Sequence, residues 1–105
     1  MTAKDLLMRV PAAVREGETA PDAIVQYELS EPMYHVLEGG TVRAVEGRAE
    51  RPNVTITVSD DNLVKLFRGE MNPMTAFMTG KVKLKGDMML AQKLLSIVDR
   101  DKLEP

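Results

Sequence analysis

Apolar residues recur at two different spacings along this chain, and each change of spacing marks an element. Leu6, Leu7, Val10, Ala13 and Val14 fall at helical intervals, which predicts a helix over residues 2–15. Pro11 lies inside it and lacks an amide proton, so a bend or a restart is expected there. GETAPDA (17–23) is punctuation with room for a single helical turn. From residue 23 the period drops to two. AIVQYEL (23–29) sets Val25, Tyr27 and Leu29 on one face, and MYHVLEG (33–39) sets Tyr34 and Val36 on one face. Gly39-Gly40 predicts a tight hairpin into TVRAVEGRAE (41–50). NVTITVS (53–59) alternates most cleanly, with Val54, Ile56 and Val58 opposite Thr55 and Thr57. Consecutive strands joined by short turns predict an antiparallel sheet with one buried face.

The helical period returns after Ser59 and Asp60, both good caps for a helix in which Leu63, Leu66 and Phe67 share a face and Gly69 ends the run. Asn72-Pro73 starts another, a cap followed by proline at the first helical position. Met74, Phe77 and Met78 fall on one face of it, and Gly80 closes it. KVKLKG (81–86) is a fifth strand, and Asp87 caps a last helix over 88–100. At about 100° per residue, the apolar residues of that helix (Met88, Leu90, Ala91, Leu94, Leu95, Ile97 and Val98) span roughly half its circumference. A surface helix needs a stripe only somewhat over about 100° wide. Met89 lies outside even this arc, so the helix has more apolar surface than one packing partner explains.

Composition narrows the function classes. The chain has 105 residues, which predicts one domain, and a net charge of −2 with fourteen Lys and Arg spread along it. Without a basic excess, and with only Tyr27, Tyr34, Phe67 and Phe77 as aromatics, a nucleic-acid partner is not expected. The absence of cysteine excludes disulfides, thiolate metal sites and a cysteine nucleophile. No apolar run approaches the roughly 20 residues of a membrane span, and Asp5 and Arg9 interrupt the first segment where a secretory leader would be apolar. A cytoplasmic protein is the expectation.

The order of elements, together with particular residues, resembles the sterol carrier protein-2 (SCP-2) domain family of nonspecific lipid-transfer proteins. The likeness covers nearly the whole chain and is densest in DNLVKLFRGEMNPMTAFMTGKVKLKGDMMLAQKLL (61–95). There the family's succession is matched: a helix, Gly, Asn-Pro, Ala-Phe, Gly-Lys, an alternating strand, Lys-Gly-Asp-Met and a closing amphipathic helix. VTITVSDDNL (54–63) and AIVQYELSE (23–31) are similar to earlier parts of the pattern. The resemblance implies an α/β (α+β) fold, a five-stranded, mainly antiparallel sheet covered on one face by helices, with an apolar tunnel between the layers. It implies a fatty acid, fatty acyl-CoA, sterol or phospholipid as ligand, no cofactor and no catalytic residues. The sequence shows Leu103-Glu104-Pro105 where eukaryotic carriers have a peroxisomal Ser-Lys-Leu-type tail, and no appended enzyme domain is expected. A stand-alone bacterial or archaeal carrier is therefore expected, with its oligomeric state open.

The matching segments and helical faces together nominate Phe67, Met71, Met74, Phe77, Met78, Leu84, Met88, Met89, Leu94 and Leu95 as wall or mouth of the ligand site. Methionine is unbranched and polarizable, so it suits a lining of variable shape as well as a gap in an ordinary core. A chain of sixteen carbons gains on the order of 12 kcal/mol by burial, at about 0.8 kcal/mol per methylene. Holding an empty cavity of about 300 Å³ open would cost about 7 kcal/mol, comparable with the whole stability of a small domain. The site is thus expected to be occupied on purification or partly collapsed when empty.

Other features have plainer readings beside the functional ones. Lys81, Lys83 and Lys85 alternate with Val82 and Leu84, as on the wet side of a strand, or as a cationic strip for anionic headgroups. His35 stands alone, without the companions a transition-metal site needs, and is expected to fill a strand position with no catalytic duty. The serines lack a nucleophile-elbow context, and Asp60-Asp61 is explained by capping. Leu6–Val14 and Met88–Val98 are amphipathic; core packing is favoured, which leaves room for transient contact with a membrane surface. The alternative to a carrier is a regulatory or scaffolding module whose apolar groove receives a partner segment or enzyme. No constellation supports an enzyme.

Overall fold

Register puts the alternating residues of all five strands on a common face. The structure, a computed structural model, describes residues 2–18 and 20–103. Helix α1 (Ala3–Ala13) is followed by strands β1 (Ala23–Glu28), β2 (Met33–Glu38), β3 (Thr41–Glu46) and β4 (Val54–Val58). Helices α2 (Asp60–Phe67) and α3 (Pro73–Met78), strand β5 (Val82–Gly86) and helix α4 (Met88–Ile97) come next, and a 3-10 turn spans Arg100–Leu103. The sheet order is β3-β2-β1-β4-β5. Tyr27 stands beside Met33 and Ile56, Val25 beside His35 and Val54, and Ile56 beside Leu84. These side chains form one face, and the helices cover it. Of the buried apolar residues, α1 supplies Leu6, Leu7 and Val10, α2 supplies Leu63, Leu66 and Phe67, and α4 supplies Leu90, Leu94 and Ile97.

The hairpin at Gly39-Gly40 is as expected: both glycines have positive φ, 59° and 82°, the pair of angles a two-residue turn of matching twist demands. Three of the four strand pairings are antiparallel, as a mainly antiparallel sheet requires, while β1 and β4 run parallel, so the sheet is mixed at that one pairing. The cause lies in residues 47–53, which return from β3 to pair beside β1. Gln26, on the face away from the helices, holds this crossing. Its Nε2 donates to the carbonyls of Met33 (3.1 Å) and Gly47 (3.2 Å), and its Oε1 accepts from the Ala49 amide (2.8 Å). Gln26 is buried, with its polar atoms satisfied.

Several boundaries shift. β3 stops at Glu46 and α4 at Ile97, after which Val98 bridges Val14. Ser59 caps α2 by accepting from the Asn62 amide, while Asp60 reaches back to the amide and hydroxyl of Ser30. In 17–23 the described residues turn without forming a helix; Thr19, Glu104 and Pro105 lie outside the described residues, and with them part of the turn and tail readings. In β2 the inward residues are Met33, His35 and Leu37; Tyr34 and Val36 share the other face.

His35 explains why α1 does not break. The helix runs from Ala3 through Pro11 to Ala13. Proline at position 11 cannot donate to the carbonyl of Leu7, four residues back. His35 does so instead: its Nε2 lies 2.9 Å from the Leu7 oxygen. Because a carbonyl only accepts, Nε2 carries the proton, and Nδ1 accepts from the Tyr27 hydroxyl at 2.8 Å. Burial holds His35 neutral and pushes its pKa from 6.5 to about 4, with the Leu7 hydrogen bond opposing the shift. Below pH 6.5 the unfolded chain takes up a proton that the folded protein refuses, so this contribution to stability is complete above 6.5 and is lost as pH falls towards 4. The loss should reach about 3 kcal/mol over that window. Urea titrations at pH 7.5 and 4.5 should show it, and a His35→Leu variant should lack it; equal pH sensitivity in both proteins would mean that His35 titrates normally.

Candidate functional site

α3 owes its position to the edge strand that follows it. Asn72 caps it, its Oδ1 accepting from the Met74 and Thr75 amides, and Pro73 occupies the first turn. The Lys81 amide then donates to the Ala76 carbonyl at 2.9 Å, which ties α3 to the start of β5. Only Ala76 of α3 is buried. The face carrying Met74, Phe77 and Met78 therefore does not enter the core, although its spacing is that of a core-facing stripe.

α4 starts at Asp87, whose carboxylate accepts from the Leu90 amide at 3.1 Å. Its wide apolar arc serves two directions. Leu90, Leu94 and Ile97 are buried. Met88, Ala91 and Leu95, at helical intervals, line a cleft opposite Met74 and Phe77 of α3, with Val82 and Leu84 of β5, Ile56 of β4 and Leu66 of α2 around them. Pro73 and Gln92 complete the lining, so no charged side chain faces the cleft. Its free volume is about 50 Å³. At about 24 cal/mol per Å³ such a void costs only about 1 kcal/mol, against about 7 kcal/mol for a space the size of a lipid chain. Met74 and Met88 are partly exposed, so they can swing outward without unpacking the core.

Larger hollows exist but are less apolar or more open. One of about 350 Å³ includes Asp22, Asn53, Asp87 and Lys93 with Met89 at its side. Another, of about 410 Å³, is bordered by Arg15, Glu16 and Glu18. A third, of about 300 Å³, adjoins the cleft, because Leu66, Pro73 and Leu95 border both.

Of the ten residues nominated from sequence, the cleft brings together Met74, Phe77, Leu84, Met88 and Leu95. Phe67 is buried, its ring centroid 6.2 Å from that of Tyr27, and with half-buried Met71 it borders the adjoining hollow. Leu94 is in the core. Met78 and Met89 are 77% and 72% exposed and do not border the cleft. Ile56, Leu66, Val82 and Ala91 were missed because each fits an ordinary core pattern; only the gap between α3 and α4 distinguishes them. Lys83 and Lys85 are exposed on β5, beside Thr57 and Thr55 on the face without helices, and Lys81 is exposed just before the strand begins. Among the described residues no cluster of His, Asp or Glu could hold a metal ion, and no helix is long and apolar enough to cross a membrane.

Comparison with known proteins places this arrangement. Peroxisomal multifunctional enzyme A of Dictyostelium discoideum is 43% identical over 68 residues, 64% of this chain and 15% of that protein. Hydroxysteroid dehydrogenase-like protein 2 of Bos taurus is 34% identical over 91 residues, 77% of this chain and 21% of that protein. The chain thus spans about a fifth or less of these relatives. The solution structure of palmitated SCP2L2 from Aedes aegypti shares the fold, with a TM-score of 0.71 at 24% identity, covering 92% of this chain and 94% of the other. The model of the SCP-2 sterol transfer family matches residues 4–99, nearly the whole sequence, and the chain belongs to that family.

Proposed function

We propose that this chain is a nonspecific lipid carrier, acting in the cytoplasm, that buries one aliphatic chain between α3, α4 and β5 and releases it without chemistry. The observation that carries the reading is the uncharged cleft between two helices whose methionines lie on its outer side. Family membership supports it, as does the palmitate bound by a structural relative from Aedes aegypti. In this reading Met74, Phe77 and Met88 move outward as the chain enters, and the gain from burying methylenes offsets the opened volume. Exposed Met78 and Met89 would make transient contact with a bilayer during loading and release.

Native mass spectrometry of freshly purified protein, followed by solvent extraction, tests the proposal. The expected result is a stoichiometric fatty acid or phospholipid, or a bare protein that takes up one fluorescent fatty acid and passes it to vesicles. A bare protein that refuses fatty acid would overturn it and move the weight to a module whose groove receives a partner segment.

A further inference from the structure

The hollow beside the cleft holds a positive charge positioned where a ligand's head would emerge. Leu66, Pro73 and Leu95 border both spaces, so a chain lying in the apolar cleft would leave it past these three side chains. Beyond them lie Gly69, Glu70 and Arg100. Glu70 is compensated, with Arg68 Nε 3.4 Å from its carboxylate. The Arg100 side chain makes no hydrogen bond or ion pair with a described residue. Its five N–H donors are available in a planar fork that matches a carboxylate or phosphate.

The position of Arg100 is set by the fold. On one side Val98 bridges Val14, and the Asp99 amide donates to the Ala13 carbonyl at 2.7 Å. On the other, Leu103 is fully buried. The guanidinium lies over Gly69, where a Cβ would stand 2.1 Å from Nη1 and 2.7 Å from Cζ. Gly69 also has a φ of +76°, so the glycine both ends α2 and leaves the space that the guanidinium fills.

We infer that Arg100, seated over Gly69, recognises the anionic head group of a single-chain lipid whose tail lies in the adjoining cleft. The inference rests on the carrier reading and adds a preference to it: acids and phosphates over neutral lipids of the same length. The site is open to water, so the preference is modest and fades with salt.

The test compares dodecanoate, dodecyl phosphate and dodecan-1-ol as competitors for a neutral fluorescent aliphatic dye, using the wild type, Arg100→Gln, and Arg43→Gln on the far edge strand as a charge control. The wild type should favour the anions over the alcohol by about fivefold, equivalent to about 1 kcal/mol. Arg100→Gln should remove that ratio and leave alcohol affinity unchanged, and Arg43→Gln should preserve the ratio. Loss for one anion alone identifies which head group the guanidinium takes. An unchanged ratio in Arg100→Gln, or equal loss in Arg43→Gln, overturns the head-group role while the carrier reading stands. A wild type that binds none of the three overturns both.

Discussion

Replacing His35 by leucine should cost the folded state about 3–5 kcal/mol, and adding Pro11→Ala should return about 1–2 kcal/mol of that loss. The first figure comes from two buried groups left without partners, the Leu7 carbonyl and the Tyr27 hydroxyl. Each unsatisfied buried group costs about 1–3 kcal/mol, while leucine keeps much of the volume and limits the cavity. The rescue is specific to proline chemistry. Alanine at position 11 restores an amide proton aimed at the Leu7 oxygen, which in the wild type already has His35. Any gain from removing proline from a helix interior occurs in both backgrounds and cancels in the double-mutant cycle. Denaturant titrations of the four proteins above pH 7 measure the coupling directly. Strict additivity would show that the histidine does not stand in for the missing amide.

Leu95→Glu should weaken binding of an aliphatic ligand by about a hundredfold or more, corresponding to about 3 kcal/mol for holding a carboxylate against an apolar chain. Leu95 borders both the cleft and the hollow that holds Arg100, so a charge there stands at the junction of the two. It is only half-buried, and an ionised glutamate can turn partly to water, which keeps the fold within reach. Phe77→Asp, at a site 36% exposed, removes a second wall with less risk to the core and should lower affinity in the same direction. Fluorescent fatty-acid titration with a thermal melt of each variant separates lost binding from lost structure. Two folded variants with wild-type affinity would remove the cleft as the ligand site.

Element types were legible because local chemistry set them. Ser59, Asn72 and Asp87 cap helices as their side chains predict, Gly39-Gly40 turns the hairpin, and period-two runs became strands. The resemblance to the SCP-2 family anticipated the five-stranded sheet under helices, and the arc on α4 anticipated a second apolar direction beyond core packing. Legibility stopped where one local pattern fits two tertiary fates. Met74, Phe77 and Met78 have the spacing of a core stripe, and so does the Leu94 repeat, yet one borders a cleft and water while the other is buried. Nothing local separates Tyr34 and Val36 from Met33, His35 and Leu37 as the inward face of β2, since both sets alternate.

By itself the sequence determined the order and kind of elements, because caps, turns and hydrophobic period act over a few residues. Tertiary structure alone decided three things. It made β1 and β4 parallel neighbours, through Gln26 and the crossing it holds. It carried α1 through Pro11, since the missing donor is supplied by a histidine in β2. It put Arg100 over Gly69, 31 positions away, beside the apolar cleft. Each depends on groups far apart in the chain meeting at hydrogen-bond or van der Waals distance, and no periodicity encodes such a meeting.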